Sequence, residues 1–206
     1  KGGADVNSTF NASVVSNDFR SGAYIYGTVK NRDWYDRNDD GFSEVPQLKG
    51  TTIGMRAYHR FGERSKITAD YHHIGEFRRG GNKFDRQPHE ADVTEQLRHE
   101  IHGGGLTYDF MSLDKQHRAS VYASAQHIGR DSYFGAGQDP NAFGRTKGLT
   151  ATAGGQYTWD YLREWVLPSQ LTGGVEYTYD EATGVFQTTA GRITVPTATV
   201  TQDPTT

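Results

Sequence analysis

Asp36, Asn38 and Asp40 occupy alternate positions in the stretch Asp36-Arg37-Asn38-Asp39-Asp40-Gly41-Phe42-Ser43-Glu44. Alternating oxygen-bearing side chains followed by glycine match the opening of a calcium-binding loop, where the oxygens converge on one hard cation and glycine permits the bend. The Phe42 carbonyl and the Glu44 carboxylate would extend the shell. The twelfth position is Gln47 where a bidentate Glu is expected, and no helical pattern flanks the loop, so the motif is not an EF-hand. An Asp/Asn-rich turn that hydrogen-bonds its own backbone explains the same residues. Calcium held by Asp36, Asn38, Asp40 and Glu44 is the metal expectation, set against that plainer one.

The eight histidines offer less. His72 and His73 are adjacent, and His99 and His102 are three apart, so on strands each pair points to opposite faces. His59, His89, His117 and His127 are scattered, and the expectation for all of them is solvated or interfacial histidine, with a loop residue such as His89 the candidate for an axial haem ligand. No G-x-S-x-G elbow or comparable nucleophile signature occurs, so no enzyme is expected. Asp70 and Glu176 read as charges lining a lumen. Arg78-Arg79-Gly80-Gly81 reads as a solvated loop able to hold an anion or lipopolysaccharide. Tyr133-Phe134-Gly135-Ala136-Gly137 reads as an external loop in which Tyr133 and Phe134 contact a ligand.

What would position these residues is a series of strands. Ala119, Val121, Ala123 and Ala125 alternate with Arg118, Ser120, Tyr122, Ser124 and Gln126, giving one apolar and one polar face. Leu106, Tyr108 and Phe110 do the same before a polar turn. Comparable alternation marks residues 9–15, 23–30, 52–61, 66–76, 149–159 and 171–179, and residues 185–195 hold a weaker one. The connections alternate short and long, with long loops expected at 31–49, 77–97 and 128–147. Phe61, Phe110, Trp159, Tyr161 and Trp165 fall near strand ends.

The chain has 206 residues, of which 34% are hydrophobic, with 25 Gly, 12 Tyr and 10 Phe, and its mean hydropathy is -0.76. No apolar run approaches the roughly 18 residues of a spanning helix. A membrane β-barrel needs only ~10-residue segments of alternating polarity, which hydropathy averages away. The expected fold is therefore all-β, a transmembrane antiparallel β-barrel, with a soluble sandwich as the competing reading. Residues 1–195 are assigned to the barrel and 196–206 to a tail. A net charge of -3 gives no pull toward nucleic acid, and the absence of cysteine excludes disulfides and thiolate zinc sites. Neither end reads as a closing strand, so an arc of about 8–10 strands is expected. Its odd-numbered side chains from Ala23 to Tyr179 would meet lipid and its even-numbered ones the lumen.

Several phrases resemble TonB-dependent outer-membrane receptors, in particular the Bacteroidetes branch with cobalamin-receptor-like members. They are DRNDDGFSE (residues 36–44), YHHIGEFRRGGN (71–82), PHEADVTEQ (88–96) and SVYASAQHIGRDSYFG followed by DPNAFG (120–144). The resemblance implies a 22-stranded barrel with long external loops in the bacterial outer membrane, importing a scarce nutrient with energy delivered through TonB. Cobalamin leads as the nutrient, with haem or a ferric siderophore next, and a structural barrel without substrate is the alternative class. It also implies calcium ordering the external loops, a TonB complex reached through a plug that this stretch lacks, lipid and lipopolysaccharide around the wall, and a surface lipoprotein as partner.

Overall fold

A computed structural model describes residues 4–161, 169–188 and 191–201. They form nine strands: β1 (Asp5–Val15), β2 (Ser21–Arg32), β3 (Gln47–Arg60), β4 (Ser65–Gly81), β5 (Val93–Met111), β6 (His117–Ala136), β7 (Phe143–Tyr161), β8 (Ser169–Thr188) and β9 (Gly191–Thr201). Each pairs antiparallel with its sequence neighbours in one sheet of order β1 to β9. Among the described residues each strand packs only on the next ones, apart from a 3-10 turn, Pro88–Glu90, that touches β5 and β6. There is no second layer. The sandwich reading is thereby excluded for the described chain, and the sheet is open, with β1 and β9 as its edges.

The alternation fixes the two faces. Register places Val14, Ala23, Ala57, Ala69, Leu106, Ala123, Ala153 and Tyr177 in one row, with Ala12, Ile25, Met55, Tyr71, Gly104, Ala125, Ala151 and Tyr179 beside it. The expected odd-outward rule holds on β2 to β4 and β6 to β8. It inverts on β5, where the even residues Leu106, Tyr108 and Phe110 share the apolar face, because Ala69 pairs with Leu106 and Leu106 with Ala123.

Among the described residues nothing packs on this apolar face. The buried hydrophobics among the described residues are Ala91 and Tyr133, whereas Val121 is 60% and Val175 66% exposed, and Ile25, Ile53, Met55, Leu106 and Leu171 are exposed as well. Soluble monomers rarely leave more than a few hundred Å² of contiguous apolar surface open. On β7 the apolar run from Leu149 to Trp159 spans about 33 Å at ~3.3 Å per residue. Tilted by ~45°, that is about 23 Å, close to the ~25 Å apolar band of outer-membrane barrels. Toward the short turns the belt ends on aromatics: Phe110, Trp159 and Tyr157, with His117 stacked at 6.0 Å on both Trp159 and Tyr157. Phe61 meets His59 edge-on at 4.7 Å. Trp165 lies outside the described residues, and Tyr161 closes β7.

The strands run 11 to 20 residues, longer than the alternation predicts. The loops expected at 77–97 and 128–147 shrink to residues 82–92 and 137–142, and Arg78-Arg79-Gly80-Gly81 is the end of β4. The reason is physical. Beyond the belt neither face of a strand is continuously apolar, so pairing continues without a period-two pattern to betray it. β8 likewise runs on to Thr188, and β9 occupies residues 191–201, reaching into the stretch read as a tail. Two of the short turns share one chemistry: the Ser16 hydroxyl donates to Asp18 and the Ser112 hydroxyl to Asp114, each closing a tight reversal.

Candidate functional site

Two regions carry organised polar chemistry, the polar face of the sheet and the loops beyond its long end. On the polar face Arg118 donates to both carboxylate oxygens of Asp160 (2.9 and 2.8 Å), which also accepts from Gln170 (2.7 Å). Lys66 lies 3.3 Å from Asp109, and the Ser120 hydroxyl donates to the same carboxylate. Glu176 accepts a hydrogen bond from Tyr122, so it is tied into the wall, while Asp70 is the register partner of Arg56. Aromatic rings pave this surface. A Cβ at Gly54 would fall inside the Tyr26 ring and one at Gly22 inside the Tyr58 ring, so each ring lies flat over a neighbour without a side chain. Hollows open along the same face, one lined by Asp70, His72, Ser124, Gln126 and Thr152 and another by Arg60, Lys66, Asp109, Arg118 and Gln156. These depressions on the polar face are open to water or a solute, and a further one, lined by Gln96, Arg98, Asp131 and Arg145, opens on the other face beyond the belt.

Beyond the belt, the connection at residues 33–46 is pinched by a two-residue bridge between Tyr35 and Val45. Inside the pinch Asp36 is buried. Its Oδ1 accepts from the Asp39 amide (2.7 Å) and its Oδ2 from the Gly41 amide (2.9 Å). Gly41 has φ +87°, the left-handed bend that glycine tolerates. Burial works against the Asp36 charge, but the amides of Gly41, Asp39 and Asp40 outweigh it and hold the carboxyl below the usual range. Asp40 accepts from the Phe42 amide (2.8 Å) and from the Asn38 carboxamide (2.9 Å), and Glu44 accepts from the Arg37 amide (2.7 Å).

Carboxylate oxygens of Asp36, Asp40 and Glu44 lie within 4.8 Å of one another. The fold thus brings together three of the four expected calcium ligands, with Asn38 hydrogen-bonded beside them. The backbone-bonding turn is present too, so the two sequence readings coincide in one loop. A carboxylate that accepts one amide retains lone pairs for a cation, and three such groups with a carboxamide form an all-oxygen donor set suited to calcium. Gln47 opens β3 opposite Arg79 and does not serve as a closing ligand residue on this loop.

The second loop, residues 82–92, is joined to the first. Trp34 stacks on Phe84, Arg79 lies 5.5 Å from the same ring, and the Ser43 amide donates to the Gly81 carbonyl. Arg79 is buried and donates to the carbonyls of Arg86 (2.8 Å) and Lys83 (3.1 Å). Asp92 accepts from Lys83 (2.7 Å), Asn82 (2.9 Å) and Gln138 (3.4 Å), so it ties residues 82–92 to residues 137–142.

Tyr133 and Phe134 do not form a joint contact. They are neighbours on β6 and point to opposite faces. Tyr133 is 1% exposed, packed edge-on against Phe143 at 4.8 Å, with its hydroxyl donating to the Asp139 carbonyl at 2.8 Å. It belongs to a small interior under residues 88–91, which is a correction to its reading as an exposed ligand contact: the covering 3-10 turn removes the ring from solvent. Phe134 is 52% exposed, with the Arg130 guanidinium 6.0 Å from its ring. Among groups that sequence spacing left apart, the sheet also assembles His73, Glu100 and His102. Only the β4–β5 register could have shown it.

No protein-family model, curated protein or solved structure matches this chain. The likeness carried by the loop phrases therefore stands on those phrases alone.

Proposed function

We propose that this chain is a wall segment of a bacterial outer-membrane β-barrel that receives a solute from outside. The observation carrying the reading is the pairing of faces on one single-layered sheet. One side carries an apolar belt, and the other is polar, hydrogen-bonded and hollowed. Water leaves the first without a partner, and lipid would leave the second unsatisfied. Only a closed wall between the two media serves both. Closure requires a partner for each edge, as in a larger barrel of the 22-stranded kind.

On the loop phrases, the barrel is a TonB-dependent receptor importing a scarce nutrient, cobalamin first among the candidates and haem or a ferric siderophore after it. The TonB complex would act through a plug, and a surface lipoprotein would cover the external mouth. Calcium at Asp36, Asn38, Asp40 and Glu44 would neutralise converging carboxylates and stiffen the first loop, which leans on the second through Trp34 and Phe84. No catalytic role is assigned to any residue.

The test uses the full-length protein in outer-membrane fractions. Folded barrels shift in gel mobility on heating, and the protein should retain cyanocobalamin more tightly with calcium than with a chelator. A Soret band on adding haemin, with no cobalamin retained, would move the assignment to haem. A folded barrel that binds neither these nor a ferric siderophore is a structural wall. Recovery as a soluble protein without detergent would remove the membrane reading itself.

A further inference from the structure

Three imidazoles far apart in the chain form one row across the sheet. His73 on β4 is the register partner of His102 on β5, and His102 is the partner of His127 on β6. All three lie on the apolar face, one step past Tyr71, Gly104 and Ala125, where the belt gives way to polar residues. Glu100 shares that face, and its Oε2 sits 2.8 Å from His73 Nε2. The rings of His73 and His102 have centroids 4.5 Å apart, and one ligand atom from each of His73, Glu100 and His102 falls within 4.8 Å of the others.

The surroundings favour that convergence. Glu100 is flanked across the sheet by Gly75 and Gly129, so its carboxylate has no neighbouring side chain to displace. A Cβ at Gly75 would stand 3.5 Å from both Glu100 Oε2 and the His73 ring, which shows the carboxylate lying over the empty position. Tyr71 holds His102 from behind, its hydroxyl 2.9 Å from Nδ1. With Nδ1 donating to that oxygen, Nε2 presents its lone pair outward, the way an outer partner orients a metal-binding imidazole.

We propose that His73, Glu100 and His102 form a binding site for a first-row divalent transition metal, zinc foremost, clipping β4 to β5 where they leave the lipid belt. Two imidazole nitrogens and one carboxylate are a zinc donor set, and calcium disfavours imidazole. Zinc bonds of about 2.0–2.2 Å place tetrahedral donors roughly 3.3 Å apart. Rotation of these solvent-accessible side chains closes the remaining distance, and water or His127 completes the coordination. The site differs from the Asp36 loop in donor type and lies on the opposite face from the hollows lined by Asp70 and by Lys66, so it does not depend on the solute proposed above.

The test is a titration of full-length protein in detergent micelles, without a histidine tag, using Co²⁺ as the visible stand-in for zinc. The expected result is saturable, one-equivalent binding in the micromolar range, with d–d bands abolished by zinc and untouched by calcium. His73→Ala, His102→Ala and the isosteric Glu100→Gln should each weaken binding by about tenfold or more. His59→Ala, at the other end of the same face, should leave it unchanged. Heat-modifiable gel mobility checks that each variant is folded. Absence of saturable cobalt binding, or binding that persists in a folded His73→Ala/His102→Ala double variant, overturns the proposal.

Discussion

Trp34 and Phe84 stack with ring centroids 4.5 Å apart and planes within 2° of parallel. The separation exceeds the roughly 3.5 Å at which stacked carbons touch, so the rings are slid past one another, the arrangement that aromatic quadrupoles favour. This contact joins two loops that share no strand. A double-mutant cycle on Trp34→Leu and Phe84→Leu should return a coupling of about 0.5–1.5 kcal/mol, read from the rate at which protease nicks residues 33–46. Additive effects would mean that the two loops open independently.

Arg79 supports the same corner from below. Its guanidinium donates to the carbonyls of Arg86 and Lys83, the second of which also accepts from the Arg86 amide. Arg79→Met keeps the stem and removes the donors, and should loosen residues 82–92 by about 1–3 kcal/mol, measured as faster amide exchange in that segment with β5 unaffected. Exchange that speeds up along the whole of β5 would instead assign Arg79 to the sheet's own stability.

The two faces of the sheet predict opposite tolerance of charge. Val121→Arg, in the middle of the apolar belt, should cost about 2–4 kcal/mol on insertion into bilayers. Ser124→Arg, on the polar face of the same strand, should be nearly neutral. Equal costs would mean that the belt does not contact lipid.

Asp92 gives the 82–92 loop an acid limit. The hydrogen bond from Lys83, then that from Asn82, holds its carboxyl below the ordinary value, outweighing a smaller cost of burial. A depressed folded pKa contributes stability that is complete above the unfolded value of about 3.9 and lost as pH falls through the lower folded value. Loop protection factors, corrected for the intrinsic pH dependence of amide exchange, should therefore be flat from neutral pH to about 4 and fall below it. Asp92→Asn should lower them at neutral pH and flatten the acid step.

The belt was legible because a strand with one apolar and one polar face must alternate: Val121, Ala123 and Ala125 against Tyr122, Ser124 and Gln126 announce both strand and faces. Past His127 neither face of the same strand is continuously apolar, and Ile128 to Ala136 carry no alternation, so they read as loop. The Asp36 motif was legible because its ligands are local, and the fold does bring Asp36, Asp40 and Glu44 together. Tyr133 was misread because its cover, Pro88–Glu90, comes from another connection. His73 and His102 were invisible as a pair because cross-strand partners depend on register, which the 82–92 loop sets and no spacing rule records.

In the proposed membrane setting, the strands that outrun the belt would shape how selection proceeds. From His127 to Ala136, β6 climbs about 30 Å along its axis at ~3.3 Å per residue, hydrogen-bonded on both sides for most of the way. A molecule arriving from outside would meet this palisade well before it reached the depth of the acyl chains. Discrimination would then begin at a stiff collar rather than at a mobile fringe, and flexibility would be confined to the few residues that cap each hairpin.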